Sequence, residues 1–148
     1  MNFNLRFGFS VIELLVVLTL MGVLASIALP GWKRLLPAYQ LDSSARQVQS
    51  ELHHIKMRAA AENLHFQFVY LQGASDYAIQ KDGKNWLTKP LPDGISISKT
   101  GTISFSPRGT AGANRVRLQS GDGSCEQVVV SLTGRVRVCK PSLCSTDC

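Results

Sequence analysis

The sequence lacks the residue patterns that common catalytic and cofactor sites require. Its 148 residues contain no nucleophile–base arrangement and no phosphate-binding glycine loop, and the glycines in residues 109–112 and 121–123 are typical of turns. The three histidines (His53, His54 and His65) have no metal-type spacing with a carboxylate, and we expect them to be solvated. We therefore expect neither an enzyme nor a bound metal or cofactor.

Acidic residues are also scarce. Ten Asp and Glu stand against 16 Lys and Arg, which gives a formal net charge of +6 and a pI near 9.4. A basic surface attracts nucleic acid, anionic lipid or acidic protein faces, and composition does not choose among them. The length allows one membrane segment and one small globular domain.

Charge is almost absent from residues 9–29, where Glu13 is the only charged side chain. As a helix these 21 residues would reach roughly 32 Å, enough to cross a bilayer core. An ionisable group in such a segment costs on the order of 2–3 kcal/mol or more, so it normally has a partner and a function.

The order of a short leader with Arg6, then Gly8, Phe9, Glu13 and the apolar run resembles the prepilin signature of type IV pilins and type II secretion pseudopilins. The resemblance implies that a prepilin peptidase cuts between Gly8 and Phe9 and that Phe9 is N-methylated. It also implies that Glu13 pairs with the terminal amine of a neighbouring Phe9 during assembly with other pilins. The expected location is the inner membrane, single-pass, with the head in the periplasm and later in a filament in the periplasm or at the cell surface.

Two simpler interpretations compete with this one. An ordinary secretory signal peptide would use Arg6 as its basic region and Ser26-Ile27-Ala28 as its cleavage site, which would leave a soluble secreted protein. A plain membrane anchor is the other. Neither requires Glu13. The distribution of basic residues does not favour the expected orientation in the membrane, with the N-terminus inside, because Lys33 and Arg34 follow the apolar run while only Arg6 precedes it.

Beyond residue 29 the pattern changes to that of an amphipathic helix, predicted to end near Glu62. One apolar stripe recurs at helical spacing: Leu41, Ala45, Val48, Leu52, Ile55 and Ala59. Pro30 and Pro37 interrupt the join with the apolar run, and we expect a kink or a locally melted segment at Pro30.

Short strand patterns follow. They include residues 66–71, 77–80, 85–87 and 115–119, with alternating pairs at Ile95/Ile97 and Ile103/Phe105. Asp82-Gly83 predicts a hairpin turn. The prediction is an α+β protein with a pilin-like fold, in which a long N-terminal helix packs on an antiparallel β head. Its parts are a leader (1–8), a transmembrane half-helix (9–29), an amphipathic half-helix (30–62) and the head (63–148).

The last predicted hairpin suggests a disulfide. If Cys125 lies opposite Cys139, Val129 faces Arg135, the valines share one face and the arginines share the other, around a loop at residues 131–133. This register favours a Cys125–Cys139 disulfide, with Cys144–Cys148 as the second, although four cysteines allow three pairings. An exported head would let disulfides persist.

Two segments of the head, residues 103–109 and 130–138, resemble the minor pilins and pseudopilins that include pseudopilin H of type II secretion and the fimbrial T and U proteins. The resemblance implies a structural subunit that primes or caps a type II secretion pseudopilus or a type IV pilus. In the fimbrial T branch, a G-R-x-R motif such as the one starting at Gly134 is associated with DNA binding in natural transformation.

The arginine pattern itself permits DNA binding. Alternate residues on one strand face lie roughly 7 Å apart, and such a stripe of cations binds a phosphate backbone without regard to sequence. The same arginines could instead keep an exposed face soluble or meet acidic residues of a neighbouring subunit. The candidate DNA-binding residues are Arg135, Arg137, Arg115, Arg117, Arg108 and Lys140.

Overall fold

The computed structural model describes the backbone of residues 10–148 and the side chains of residues 10–27 and 36–148. The leader, the cleavage position at Gly8 and the N-terminal Phe9 lie outside the described residues. The chain divides into two units, Met1–Leu36 and Pro37–Cys148, and each is described by itself.

In the first unit, the described residues form the N-terminal part of helix α1 (Val11–Glu62). Its large apolar side chains are exposed, with Val11 at 76% and Ile27 at 73% of their full accessible area. Among the described residues, no helix meets the combined length and hydropathy expected of a membrane span.

Helix α1 continues without a break through Pro30, so the prediction of a locally melted segment there is wrong. A proline removes a single N–H donor, and the turns on either side keep their own hydrogen bonds. A kink at this position stays a prediction.

In the second unit, the C-terminal part of α1 packs on two four-stranded antiparallel sheets. The first sheet has the order β3-β2-β1-β5 and the second β4-β6-β7-β8. The strands are β1 (Phe66–Tyr70), β2 (Asp76–Lys81), β3 (Lys84–Pro90), β4 (Ile95–Ile97), β5 (Gly101–Phe105), β6 (Asn114–Ser120), β7 (Cys125–Val130) and β8 (Val136–Cys139). The α+β fold with a helix on an antiparallel β head is confirmed.

The predicted apolar stripe of α1 faces the core. All six of its members are buried, with Ala45, Val48, Leu52, Ile55 and Ala59 fully so. They join alternate residues of the strands, such as Phe66 and Phe68 in the first sheet and Val116 and Val128 in the second, in one cluster. Burial of this stripe stabilises the helix more than intrinsic helix propensity does.

The turn between β2 and β3 also forms as predicted. Asp82 and Gly83 both have positive φ values, 47° and 76°, which is the conformation of the two-residue type I′ turn that matches strand twist. Ion pairs at the surface then tie α1 to this sheet, since Glu62 accepts from Lys81 of β2 and Glu51 accepts from Lys89 of β3.

Candidate functional site

The hairpin of β7 and β8 carries Arg135 and Arg137, and its register differs from the predicted one. Val129 pairs with Arg137, and Gln127 pairs with Cys139, so β8 is shifted by two residues and the loop extends through Arg135. A two-residue shift keeps every side chain on its predicted face, because side chains alternate with a period of two. The valines therefore still face the core and the arginines still face outward.

The same shift overturns the predicted disulfides. Cys125 bonds to Cys144 and Cys139 bonds to Cys148, with Cα–Cα distances of 5.5 and 6.5 Å. Cys125 and Cys139 are not opposite each other in the observed register, since the partner of Cys139 is Gln127. Both predicted pairings, Cys125–Cys139 and Cys144–Cys148, are therefore wrong. The C-terminal residues instead fold back across the outer face of the second sheet.

The loop before Arg135 depends on Gly134. This residue is buried and has a φ of 71°, in the left-handed region that favours glycine. Lys56 of α1 donates from Nζ to the carbonyl oxygens of Thr133 and Gly134, at 3.4 and 3.0 Å. These hydrogen bonds from α1 thus fix the position of the loop and of Arg135, which follows it in the chain.

Four of the predicted arginines share the outer side of the second sheet. Across the strands, Arg115 pairs with Val129, which pairs with Arg137, so these three form one row. Arg117, Gln127 and Cys139 form the next row, and Arg135 follows at the end of the loop. Since neighbouring strands lie about 4.8 Å apart, the Cα atoms of Arg115 and Arg137 are roughly 10 Å from each other.

Two open grooves lie on either side of Val129. The larger, about 440 Å³, is lined by Lys99, Ala113, Asn114, Arg115, Arg117, Val129, Val130, Ser131 and Asp147. The smaller, about 300 Å³, is lined by Val129, Ser131, Thr133, Arg135 and Arg137. The rows of arginines therefore border two concave surfaces that share a floor.

The arginines of the larger groove already have an anionic partner. Asp147 Oδ1 lies 2.6 Å from Arg115 Nη1 and also contacts Arg117 Nη2. Desolvation raises the pKa of Asp147, but the hydrogen bond from Arg117 and the charges of both arginines outweigh it, so the pKa lies below its ordinary value. Asp147 is consequently a carboxylate at neutral pH and neutralises part of this groove.

Arg135 and Arg137 differ in this respect. Both are exposed, and neither has an ion-pair partner among the residues whose side chains are described. The structure therefore separates the predicted basic stripe into an open part, at Arg135 and Arg137, and a neutralised part, at Arg115 and Arg117.

The remaining two candidates lie elsewhere. The Nζ atom of Lys140 is 2.9 Å from Glu126 Oε1 and 3.4 Å from Asp42 Oδ1. These carboxylates, Glu126 first, raise the pKa of Lys140, which connects the end of β8 to α1. Arg108 is exposed in the turn before Gly109, whose carbonyl oxygen approaches Gly134. Lys140 is thus engaged structurally, and Arg108 is separate from the two rows.

Sequence reasoning missed Asp147 and Lys56. Asp147 is the only acidic residue after Glu126 and stands beside Cys148, so a disulfide that folded the C-terminus back would have brought one carboxylate to the arginines. Lys56 carried no sequence signal, because a lysine on the polar side of a helix is ordinary.

At the other end of the described chain, Glu13 lies in the first turn of α1. Its side chain is exposed and its neighbours are exposed apolar residues, with Ile12 at 70% and Leu14 at 57% of full accessibility. Its predicted partner, Phe9, is outside the described residues.

Comparison with family models matches the N-terminal part of the chain. Residues 4–29 match the family model of the prokaryotic N-terminal methylation motif. No curated protein sequence matches the chain significantly.

Solved structures with the same fold include two from different filament systems. The minor pseudopilin EpsH from the type 2 secretion system of Vibrio cholerae has a TM-score of 0.58 at 13% identity, over 70% of this chain and 98% of its own. The type IV minor pilin FimU of Pseudomonas aeruginosa has a TM-score of 0.58 at 15% identity, over 72% of this chain and 96% of its own. At these identities the likeness establishes the pilin fold.

Proposed function

We propose that the chain is a type IV pilin-like protein and works as a minor pilin or pseudopilin, a structural subunit of a filament. The observation that carries this proposal is a methylation motif with Glu13 in an exposed apolar helix, followed by a pilin-like head. The proposed role is assembly, and it requires no catalytic group, metal or cofactor.

Glu13 is the proposed assembly contact. A carboxylate surrounded by exposed apolar side chains is costly once lipid or neighbouring helices cover that surface. Cleavage after Gly8 would give the neighbouring subunit a free, methylated amine at Phe9, which can neutralise it. Because the pair forms at one depth, it sets the register of adjacent helices in the filament.

The proposed processing and location follow from the same motif. A prepilin peptidase would remove residues 1–8, and residues 9–29 would anchor the subunit in the inner membrane before it joins sibling pilins. The two disulfides of the head suit an oxidising compartment such as the periplasm.

The likenesses do not choose between the two filament systems, since EpsH belongs to one and FimU to the other. Priming or capping either filament is part of the proposal.

Replacing Glu13 with valine tests the assembly role. We expect Glu13→Val to be inserted, cleaved and methylated normally, and to be lost from sheared filaments. The matched control is Thr19→Val, which removes another polar group from the same helix, one that only bonds to the Val16 carbonyl of its own helix at 2.8 Å. Incorporation of Glu13→Val at the wild-type level would reject the pairing.

Mass spectrometry of the mature chain tests processing separately. An N-terminal methylated Phe9 is the expected result. A chain that begins near Leu29 would instead identify an ordinary secreted protein with a signal peptide, and the filament proposal would fail.

A second function is favoured by one observation, the open cations Arg135 and Arg137 beside the smaller groove. We propose that this face binds DNA through its phosphates, as a receptor for uptake during transformation. Arginine forks suit phosphate oxygens, and contacts of this kind are independent of sequence and sensitive to salt.

The test is the salt dependence of binding to a short duplex. The logarithm of the affinity falls as the logarithm of the salt concentration rises. Arg135→Ala/Arg137→Ala should make this fall shallower by about 1.8, which corresponds to two lost phosphate contacts. The control Lys81→Ala/Lys84→Ala removes two cations from the other sheet. An equal loss in both variants would indicate a general charge effect and contradict a site at this face.

A further inference from the structure

The last nine residues, 140–148, form a strap across the outer face of the second sheet. Its two disulfides attach it to β7 through Cys125 and to the end of β8 through Cys139. Between them, Gln127 Nε2 donates to the Thr146 carbonyl oxygen at 2.6 Å. These three anchors, at Cys144, Thr146 and Cys148, fix the position of Asp147 over the sheet.

The strap places one carboxylate on two guanidinium groups. A single oxygen, Asp147 Oδ1, contacts both Arg115 and Arg117. The arginine side chains are only 32% and 17% exposed, whereas Asp147 remains 56% exposed. The guanidinium groups of Arg115 and Arg117 therefore form part of the groove wall, and the carboxylate of Asp147 lies on their solvent side.

Asp147 satisfies only part of the hydrogen-bonding capacity and the charge of Arg115 and Arg117. Two guanidinium groups offer ten N–H donors and two positive charges, against one negative charge. The Nε atom of Arg117 is buried without a hydrogen-bond partner among the described residues. Lys99 and Asn114 add further N–H donors around a groove of about 440 Å³, whereas the Ser131 hydroxyl is already bonded to Thr133.

We infer that the groove at Arg115 and Arg117 is a phosphate-binding site and that the strap closes it, with Asp147 as an intramolecular competitor of the phosphate. The ligand class is the phosphodiester backbone of a nucleic acid. The inference rests on the DNA-binding function proposed above and concerns how much of the basic face that function can use.

Continuity of the face favours a polyanion over a single acidic side chain. Arg115 lies in one row with Arg137 across Val129, and the two grooves meet at that residue. A nucleic-acid backbone lying across Val129 would contact both the open arginines, Arg135 and Arg137, and the pair that Asp147 occupies. Competition would then limit the number of phosphates bound, because a tethered carboxylate acts at an effective concentration of about millimolar or higher.

Asp147→Asn tests the inference with both disulfides intact. The full chain in non-ionic detergent is titrated against a fluorescent 20-base-pair duplex between 50 and 200 mM salt. We expect roughly 2- to 5-fold tighter binding and a salt slope steeper by about 1 to 2, since one or two phosphate contacts are gained. The matched control is Asp93→Asn, which removes one negative charge from an exposed loop.

A second arm releases the strap itself. A dithiol supplies two electrons and two protons to each disulfide and is oxidised to its own disulfide, and iodoacetamide then blocks the four thiols without adding charge. Reduced wild type should bind the duplex as tightly as oxidised Asp147→Asn, with circular dichroism used to confirm that the head stays folded. If it unfolds, the oxidised Asp147→Asn variant decides alone.

The outcomes separate this inference from the DNA-binding proposal. If Asp147→Asn binds no more tightly than Asp93→Asn, the inference is wrong, even if binding still depends on Arg135 and Arg137. If Asp147→Asn gains affinity for poly-glutamate but not for the duplex, the site takes an acidic protein and the nucleic-acid assignment is overturned. If no variant binds the duplex, both proposals fail.

Discussion

Gly134 offers the most direct test of how the fold supports the arginine hairpin. It has a φ of 71°, and a Cβ atom built on it would lie 2.5 Å from the Gly109 carbonyl oxygen and 2.9 Å from Lys56 Cε. The lysine chain can move, but the Gly109 oxygen belongs to the backbone. Gly134→Ala therefore requires a shift of the loop as well as a strained backbone conformation.

The expected cost has two parts. A non-glycine residue in the left-handed region costs about 1–2 kcal/mol, and forcing a methyl group into a filled site adds about 1–3 kcal/mol. Gly123→Ala is the matched control, since its φ is 88° but no atom lies within 4 Å of its built Cβ. The gain from a stiffer unfolded chain is common to both, so Gly134→Ala should be the less stable variant by about 1–3 kcal/mol.

Urea unfolding measures this difference. The chain has two tryptophans, so a Trp32→Phe background leaves Trp86 as the only reporter. Trp86 contacts Phe66 of the core edge-on, with ring centroids 6.0 Å apart, and its fluorescence should follow unfolding of the head. If Gly134→Ala and Gly123→Ala lose the same free energy of unfolding, the close packing of Gly134 against Gly109 and Lys56 contributes nothing and the reasoning is refuted.

Two further predictions concern the core. Leu52→Ala should lower the free energy of unfolding of the head by about 2–5 kcal/mol, because Leu52 is fully buried. Met57→Ala, at a side chain that is 63% exposed, should change it by less than about 0.5 kcal/mol, and equal effects in urea titrations would contradict the predicted helix face. Burial raises the pKa of Tyr70 and Tyr77 to about 12, above the ordinary value of 10. The stability that these neutral phenols contribute is complete below pH 10 and is lost as the pH rises through 12, so ultraviolet titration should show them ionising together with unfolding. Ionisation of both near pH 10 in a folded head would contradict this.

Local patterns predicted the helix and strands of the head well, because the side chains that face the core must be apolar and therefore recur at the spacing of the helix or strand. The stripe from Leu41 to Ala59 repeats at helical spacing since one side of α1 meets the core, and its burial is observed. The Asp82-Gly83 turn was predictable because few residues adopt two successive positive φ values. The exposed position of Arg137 followed from strand alternation alone, whereas Arg135 is exposed in the loop before β8.

The pairing of the last hairpin shows where local patterns fail. Alternation separates valines from arginines equally well in registers that differ by two residues, so it could not distinguish Cys125 opposite Cys139 from Gln127 opposite Cys139. The observed register comes with a longer loop that extends through Arg135. This loop depends on Gly134, on Gly109 in another turn and on Lys56 in the helix, and these residues are distant in sequence.

By itself, the sequence determined the class of protein: an apolar N-terminal helix with one carboxylate, an amphipathic continuation and an antiparallel head. These features depend on residues close together in the chain, so composition, spacing and turn chemistry are enough to recognise them. Only the tertiary structure decided which arginines are open. That outcome depends on Asp147 reaching Arg115 and Arg117 through two disulfides that no local pattern specifies, because contacts between distant segments are selected by the packing of the whole head.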